Sequence, residues 1–279
     1  MTVDVEEYFQ VAAFESVIPA SRWEEYPQRL EYTTGKILDL LAPGAIHATF
    51  FVLGWVARRH PGLIRRIVAE GHELASHGMA HVRVWRQSGE AFLADARDSR
   101  LLLEDVGGVP VTGYRASTYS IGKENLWAFE RLAEAGYRYS SSVYPIRHDL
   151  YGWPEAPRTP FWPGGVPGNG VVEIPVATLQ LGGRRFPCGG GGFFRLYPYA
   201  VSRWAWRRLN EGEGMPGVFY FHPWELDPEQ PRIRGIGLKT RFRHYLHLGR
   251  MTGRITAWLR DVPWDRMDRV FAPLLGGAG

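Results

Sequence analysis

His77 and His81 stand four residues apart in Ser76-His77-Gly78-Met79-Ala80-His81, and two acids, Asp4 and Glu6, stand near the start of the chain in Thr2-Val3-Asp4-Val5-Glu6-Glu7-Tyr8-Phe9. Two imidazoles and a carboxylate form a donor set for a divalent ion. On a helix or a tight helical turn, an i, i+4 pair puts both rings on one face, and two nitrogens plus one carboxylate leave a zinc coordination position open for water. An open position belongs to a catalytic site, whereas a structural zinc is fully enclosed. His72-Glu73-Leu74-Ala75-Ser76 begins like the zinc-protease helix, but Ser76 occupies the place of the second ligand, and no Glu lies between His77 and His81 to act as base. A thermolysin-like peptidase is therefore not expected.

The chain that must position these residues has 279 of them, 45% hydrophobic, enough for a full core in one α/β domain. No Ser/Gly/Pro-rich linker divides it and no internal repeat is evident. The longest apolar runs, such as Ala48 to Val56, are too short to span a membrane. Cys188 is the single cysteine, which excludes an intrachain disulfide and a thiolate metal cluster, so a metal site must use His and carboxylate. The acidic start, with Asp4, Glu6 and Glu7, lacks the basic and apolar regions of a signal peptide, and a cytoplasmic protein is the expectation. No nucleic-acid partner is expected. The net charge of +4 is uneven: Arg232 to Arg260 holds seven Arg and Lys239 with no acid. Such a segment suits either an ordinary solvated helix face or contact with an anionic membrane surface or lipid-linked glycan. Phe242, Leu246, Ile255, Trp258 and Leu259 would form an apolar stripe beside the basic side chains, a pattern that also suits simple docking of a helix on the barrel.

Strand-like and helix-like stretches alternate. Strands are predicted at Val3–Tyr8, Ile46–Leu53, His72–Ser76, Val109–Arg115, Tyr137–Val143, Val171–Val176 and Val218–His222. Helices are predicted around Leu30 to Leu41, from Pro61 to a stop at Gly71, from a Ser88 cap to about Glu104, from Lys123 to Ala135, and from Pro198 to Asn210. The alternation predicts a parallel sheet, open or closed as a barrel. Asp4, Glu6, His77, His81, Arg115 and His222 all fall at or just past the C-terminal ends of these strands, the face on which (β/α) barrels assemble active sites.

These residues lie in motifs that resemble the polysaccharide deacetylases with a NodB homology domain, carbohydrate esterase family four, and look most like the cytoplasmic branch from exopolysaccharide loci that also encode exosortases. The ordered set is Thr2-Val3-Asp4-Val5-Glu6, Ala48-Thr49-Phe50-Phe51, Gly71 through His81, Gly113-Tyr114-Arg115-Ala116-Ser117-Thr118-Tyr119-Ser120, Gly189 through Arg195, and Tyr220-Phe221-His222-Pro223-Trp224. The resemblance implies a distorted (β/α) barrel of about seven parallel strands in a single domain. It would comprise a deacetylase domain over residues 1–230 and a basic helical extension over 231–279 packed on it. It also implies a metal-dependent hydrolase that removes N-acetyl groups from a polysaccharide, or from its lipid-linked precursor, during exopolysaccharide biosynthesis. Asp4 falls where the family has its catalytic base, His77 and His81 where it has metal ligands, Arg115 where an Arg tethers the base, and His222 where it has the catalytic acid. Ser117 and Tyr119, after Arg115, are expected to contact substrate. The implied cofactor is one divalent ion, zinc foremost, and the implied location is the cytoplasm, peripheral to the inner face of the membrane.

Three departures from the family pattern stand out. Val5 occupies the place of the usual metal-binding acid, so Glu6 is the nearest substitute, on the same strand face as Asp4. Ser117 replaces a usual proline. Ser140 stands where an acid is expected to orient the acid histidine, leaving Glu173, Asp149 and Glu225 as replacements. The chemistry expected of the set is amide hydrolysis, with Asp4 held by bidentate contacts from Arg115 and the oxyanion met by the metal and a backbone N–H after Arg115. A metal-independent amidase for small cyclic amides would explain Val5, and a non-catalytic glycan-binding protein would explain Ser140. Gly189 to Gly192 lacks the Lys-Ser/Thr of a phosphate loop and reads as backbone making room for a bulky substrate or a tight turn. Phe193, Phe194, Trp85, Tyr119, Trp153, Trp162 and Trp224 offer flat faces suited to sugar rings.

Overall fold

The structure is a computed structural model and describes residues 1–166, 168 and 170–276. Its strands are β1 (Thr2–Val5), β2 (Thr49–Val52), β3 (Glu73–Ser76), β4 (Gly113–Tyr114), β5 (Tyr139–Ser140), β6 (Val172–Glu173), an antiparallel pair β7 (Thr178–Leu181) and β8 (Arg184–Pro187), and β9 (Tyr220–Phe221). Apart from the β7–β8 pair, they form one parallel seven-stranded sheet in the order β6-β5-β4-β3-β2-β1-β9. Among the described residues the two edges are linked only by the isolated parallel bridge Val176–Val218, and the sheet curls into a half-barrel.

Ten helices surround it: α1 (Leu30–Leu41), α2 (Gly54–Arg59), α3 (Pro61–Ala69), α4 (Gly89–Gly107), α5 (Trp127–Glu134), α6 (Gly191–Leu196), α7 (Tyr199–Arg207), α8 (Leu238–Tyr245), α9 (Leu248–Asp261) and α10 (Met267–Val270), among the described residues. The apolar spacing of α1 is realised as a stripe of Leu30, Ile37, Leu38 and Leu41, all buried. Ser88 caps α4, its hydroxyl accepting the Ala91 N–H at 3.2 Å.

Alternation along the strands separates the layers. Val3, Val5, Phe50 and Val52 join the main core, which the surrounding helices complete, whereas Phe51, Ala75, Tyr139 and Val172 form a separate inner cluster. Each fully buried Val or Phe contributes about 1.5–3 kcal/mol, so the register that sends Val3 and Val5 into the main core also turns Asp4 inward. β1 ends sooner than predicted. At Glu6 the chain makes a tight turn, its N–H donating to the Asp4 carbonyl at 3.1 Å, and both acids still reach the same cavity.

The apolar stripe of the basic segment is divided between core and surface. Ile255 and Trp258 of α9 are buried in the core and Leu259 packs against it, so there is no continuous surface stripe. These side chains are apolar enough to be drawn onto the barrel, and the exposed apolar residues that remain are Leu238 and Phe242 on α8. No helix among the described residues is long and apolar enough to cross a membrane.

A candidate metal and acid-base site

The loop after β3 brings His77 and His81 together without a helix. Gly78 has φ 78° and His81 φ 56°, both in the left-handed region, and the reversal sets the two imidazole centroids 5.4 Å apart. A β-carbon at Gly78 would also fall 2.9 Å from the Asp95 carboxylate, so glycine is needed there on two counts. The helical turn expected from the i, i+4 spacing is therefore replaced by a loop that reaches the same end.

Glu6, His77 and His81 each offer a ligand atom, all within 4.8 Å of one another. His77 Nδ1 lies 2.8 Å from the Arg115 carbonyl oxygen; with the proton on Nδ1, the ring donates to that carbonyl and Nε2 is free as a ligand. Burial pushes the His77 imidazole down to about 4, which keeps it neutral, as ligation requires. Burial alone would raise the Glu6 carboxyl, but the neighbouring His81 and His222 imidazoles bring it down to about 2. Glu6 Oε2 is buried and accepts no hydrogen bond, although His81 Nε2 is 2.9 Å away. Two facing ligand atoms that do not satisfy each other are what a shared cation would use, so the donor set fits a divalent ion.

Asp4 and Arg115 form a buried ion pair beside this cluster. Arg115 Nη1 donates to Asp4 Oδ1 at 2.6 Å and to Thr2 Oγ1 at 2.7 Å, while Nε and Nη2 donate to the Ser141 carbonyl and hydroxyl at 3.0 and 2.9 Å. The expected bidentate contact is thus a single one, because the other nitrogens are held by Ser141. Asp4 Oδ2 is left facing the cavity, 3.5 Å from the Tyr119 hydroxyl and 4.0 Å from His222 Nε2.

On the opposite wall, His222 Nε2 lies 3.5 Å from Glu6 Oε1, and His222 Nδ1 is 2.8 Å from Glu225 Oε1. Pro223 starts a short 3-10 turn in which Glu225 is the third residue, and this carries its carboxylate back over the histidine. Arg195 Nε donates to Glu225 Oε2 at 2.7 Å, and Arg195 Nη1 donates to the His244 carbonyl at 3.1 Å. Burial would lower the His222 imidazole, yet its hydrogen bond to Glu225 and the charge of Glu6 raise it to about 9. Of the three acids that could replace one at Ser140, Glu225 is the one that touches His222. Glu173 instead accepts the Ser142 and Val143 N–H groups at 2.9 and 2.8 Å, and Asp149 pairs with Lys239 and Arg243.

The position of Arg195 was not anticipated. Its only sequence signal is its place at the end of the Gly189–Arg195 motif, in which Gly189, Gly190 and Gly191 make room for protein while Gly192 lines the cavity with open space beside it. A β-carbon at Gly191 would fall 2.4 Å from Glu225 Oε1.

The cavity that joins these groups has a volume of about 530 Å³. Tyr119 lines it. Ser117 is buried and does not, its hydroxyl donating to the His77 carbonyl at 3.4 Å; Thr118 lines the wall in its place. Thr118 and Tyr119 have φ of 58° and 49°. Consecutive left-handed non-glycine residues cost about 1–3 kcal/mol each, and such strain is often kept at functional sites. Of the aromatic residues singled out earlier, Phe193 and Trp224 line the cavity, Trp85 and Trp153 line a neighbouring one, Phe194 is in the core, and Trp162 packs on the inner cluster.

Residues 23–140 match the family profile described as polysaccharide deacetylase, and residues 141–272 match a domain of unknown function, DUF3473. The chain is 43% identical over 68 residues to a chitooligosaccharide deacetylase of Rhizobium leguminosarum bv. trifolii, covering 24% of this chain and 32% of the relative. It is 30% identical over 125 residues to a peptidoglycan-N-acetylglucosamine deacetylase of Bacillus cereus, covering 45% of this chain and 53% of the relative. The matches thus span about a third and about half of these two relatives. A crystal structure from Mycobacterium smegmatis, provisionally named a polysaccharide deacetylase, superposes with a TM-score of 0.61 at 21% identity over 99% of this chain and 89% of its own, and shares the fold. Over residues 23–140 the chain is thus similar in sequence to polysaccharide deacetylases.

Proposed function

We propose that this chain is a hydrolase that removes N-acetyl groups from an N-acetylated glycan. The observation that carries the reading is the placement of Asp4, held by Arg115, and His222, held by Glu225, on two sides of the Glu6, His77 and His81 cluster. A divalent ion held by those three residues, zinc foremost, would supply Lewis acidity at the acetyl carbonyl.

The chain's own residues supply the proton movements. Asp4 Oδ2, turned into the cavity, takes the proton of the attacking water, while Arg115 fixes Oδ1. His222, raised to about 9, is protonated at neutral pH; with Nδ1–H donating to Glu225, Nε2 faces the acids and gives its proton to the departing sugar nitrogen. An amide needs both services, because its carbonyl is a weak electrophile and an amine anion leaves poorly. The test is acetate release from N-acetylglucosamine oligomers by metal-loaded protein, with metal content measured before and after chelation. Protein that binds no metal and still releases acetate would favour the metal-independent amidase reading.

The finer reading, deacetylation of an exopolysaccharide or its lipid-linked precursor at the inner face of a membrane, rests on the family-branch resemblance and on one surface feature. Leu150, Leu196 and Phe242 are exposed where they line the active cavity, with Leu238 one helical turn from Phe242 and Arg241 between them. An apolar and basic rim of this kind suits an anionic lipid surface.

A further inference from the structure

Every backbone polar group of Gly78 and Met79, the middle of the loop between His77 and His81, is held from outside that loop's reach into the cavity. Gly54 N–H donates to the Gly78 carbonyl at 2.8 Å and Trp55 N–H to the Met79 carbonyl at 2.9 Å, both from the first turn of α2. The Gly78 N–H donates to the Ser76 hydroxyl at 3.1 Å, and the Met79 N–H donates to Asp95 Oδ2 at 3.2 Å. The Ser76 hydroxyl lies 2.9 Å from the Ser99 hydroxyl, which itself donates to the Ala96 carbonyl at 2.9 Å. Asp95 and Ser99 are four apart on α4, so one face of that helix reaches both N–H groups, directly at Met79 and through Ser76 at Gly78.

Asp95 is half-buried, and the Met79 N–H is its only side-chain hydrogen-bond partner among the described residues, with no cation paired to it. A carboxylate drawn out of water without a counter-charge is unfavourable, and the one contact this carboxylate makes falls midway between two donor histidines. It does not line the active cavity, so it meets neither substrate nor ion. The loop needs such a hold. His81 is a non-glycine residue at φ 56°, a conformation that persists only where the surroundings fix it. With the imidazole centroids already 5.4 Å apart, the rings need little further ordering when an ion arrives, which favours binding. We propose that Asp95, with Ser99 behind Ser76, is a positioning residue that sets the spacing of His77 and His81 before a divalent ion binds, a role that rests on the reading of Glu6, His77 and His81 as ligands.

Cobalt(II) is the probe, because its visible absorption reports the geometry of its ligands as well as their occupancy. It would be titrated into metal-free wild-type protein and into the Asp95→Ala, Asp95→Asn and Ser99→Ala variants, each with a urea midpoint measured without metal. Asp95→Ala is expected to weaken cobalt binding about 10- to 100-fold, the usual effect of losing a partner behind the ligands, and to alter the spectrum of the bound ion. Asp95→Asn keeps an acceptor oxygen for the Met79 N–H and should retain most of the affinity. Ser99→Ala cuts the second hold with little loss of packing and should weaken binding about 5-fold, the effect of one neutral hydrogen bond. That variant decides the matter if Asp95→Ala does not fold. A lowered urea midpoint with wild-type affinity and spectrum would make both residues structural and overturn the positioning role. A wild-type chain that takes up no cobalt would instead overturn the reading of the three donors as ligands.

Discussion

Glu225 grips His222 from two sides, its Oε1 lying 2.8 Å from the ring Nδ1 and 3.0 Å from the backbone N–H of the same residue. A carboxylate that holds both ring and backbone sets the direction of Nε2 as well as its protonation. Glu225→Gln is expected to lower kcat about 10- to 100-fold, the usual cost of losing such a supporting partner, with little change in KM. Steady-state acetate release measures both constants, and a change confined to KM would remove the orienting role.

Asp4 and Glu6 should separate cleanly. Asp4→Asn is expected to retain metal and lose roughly 10²-fold or more in kcat, while Glu6→Ala is expected to weaken metal retention by about 10-fold or more. Metal analysis of both purified variants decides the matter. If Glu6→Ala keeps the ion and Asp4→Ala loses it, the two roles exchange.

Glu173 predicts a pH effect on stability. Burial pushes its carboxyl up to about 7 from an ordinary 4.5, outweighing hydrogen bonds from Ser140, Val143 and Ser142. The native state then binds this proton more tightly than the unfolded chain. The contribution is complete below about 4.5 and is lost as pH rises through about 7, a change of roughly 3 kcal/mol at most. Glu173→Gln lacks the titration, so its urea midpoint should improve relative to wild type between pH 5 and pH 8. Parallel midpoints at the two pH values would show that Glu173 does not titrate in this range.

The exposed apolar pair on α8 predicts a surface interaction. Flotation with anionic vesicles should carry the wild-type chain at low salt, and Leu238→Ser with Phe242→Ser should abolish it. Binding should also fall steeply as salt rises, since the attraction is screened over about 8 Å at physiological ionic strength. A wild-type chain that stays in the soluble fraction leaves α8 as a structural cap.

Much of the half-barrel was legible because its strands run as short apolar stretches between amphipathic helices. Their ends were less so: β4, β5, β6 and β9 keep only two ladder residues each, and their flanks are extended chain that pairs with little. The six groups at the strand ends were legible from motif order. The link from Arg195 to Glu225 was not, because thirty residues and a helix separate the partners and neither sits in a periodic pattern. The stripe through Ile255 and Trp258 left two readings open for a simpler reason: the same spacing serves a helix lying on lipid and one packed on a barrel.

Arg195 has a consequence for how the chain can be divided. Its guanidinium joins the carboxylate behind His222 to the carbonyl of His244, while Arg115 and both loop histidines lie in the segment matched by the other family profile. Neither matched segment holds a complete set of reacting groups, so a fragment cut at residue 140 or 141 should be inert. A graft that exchanges one segment for a homologue's must bring across the arginine, its carboxylate and the loop that seats it as one inheritable unit.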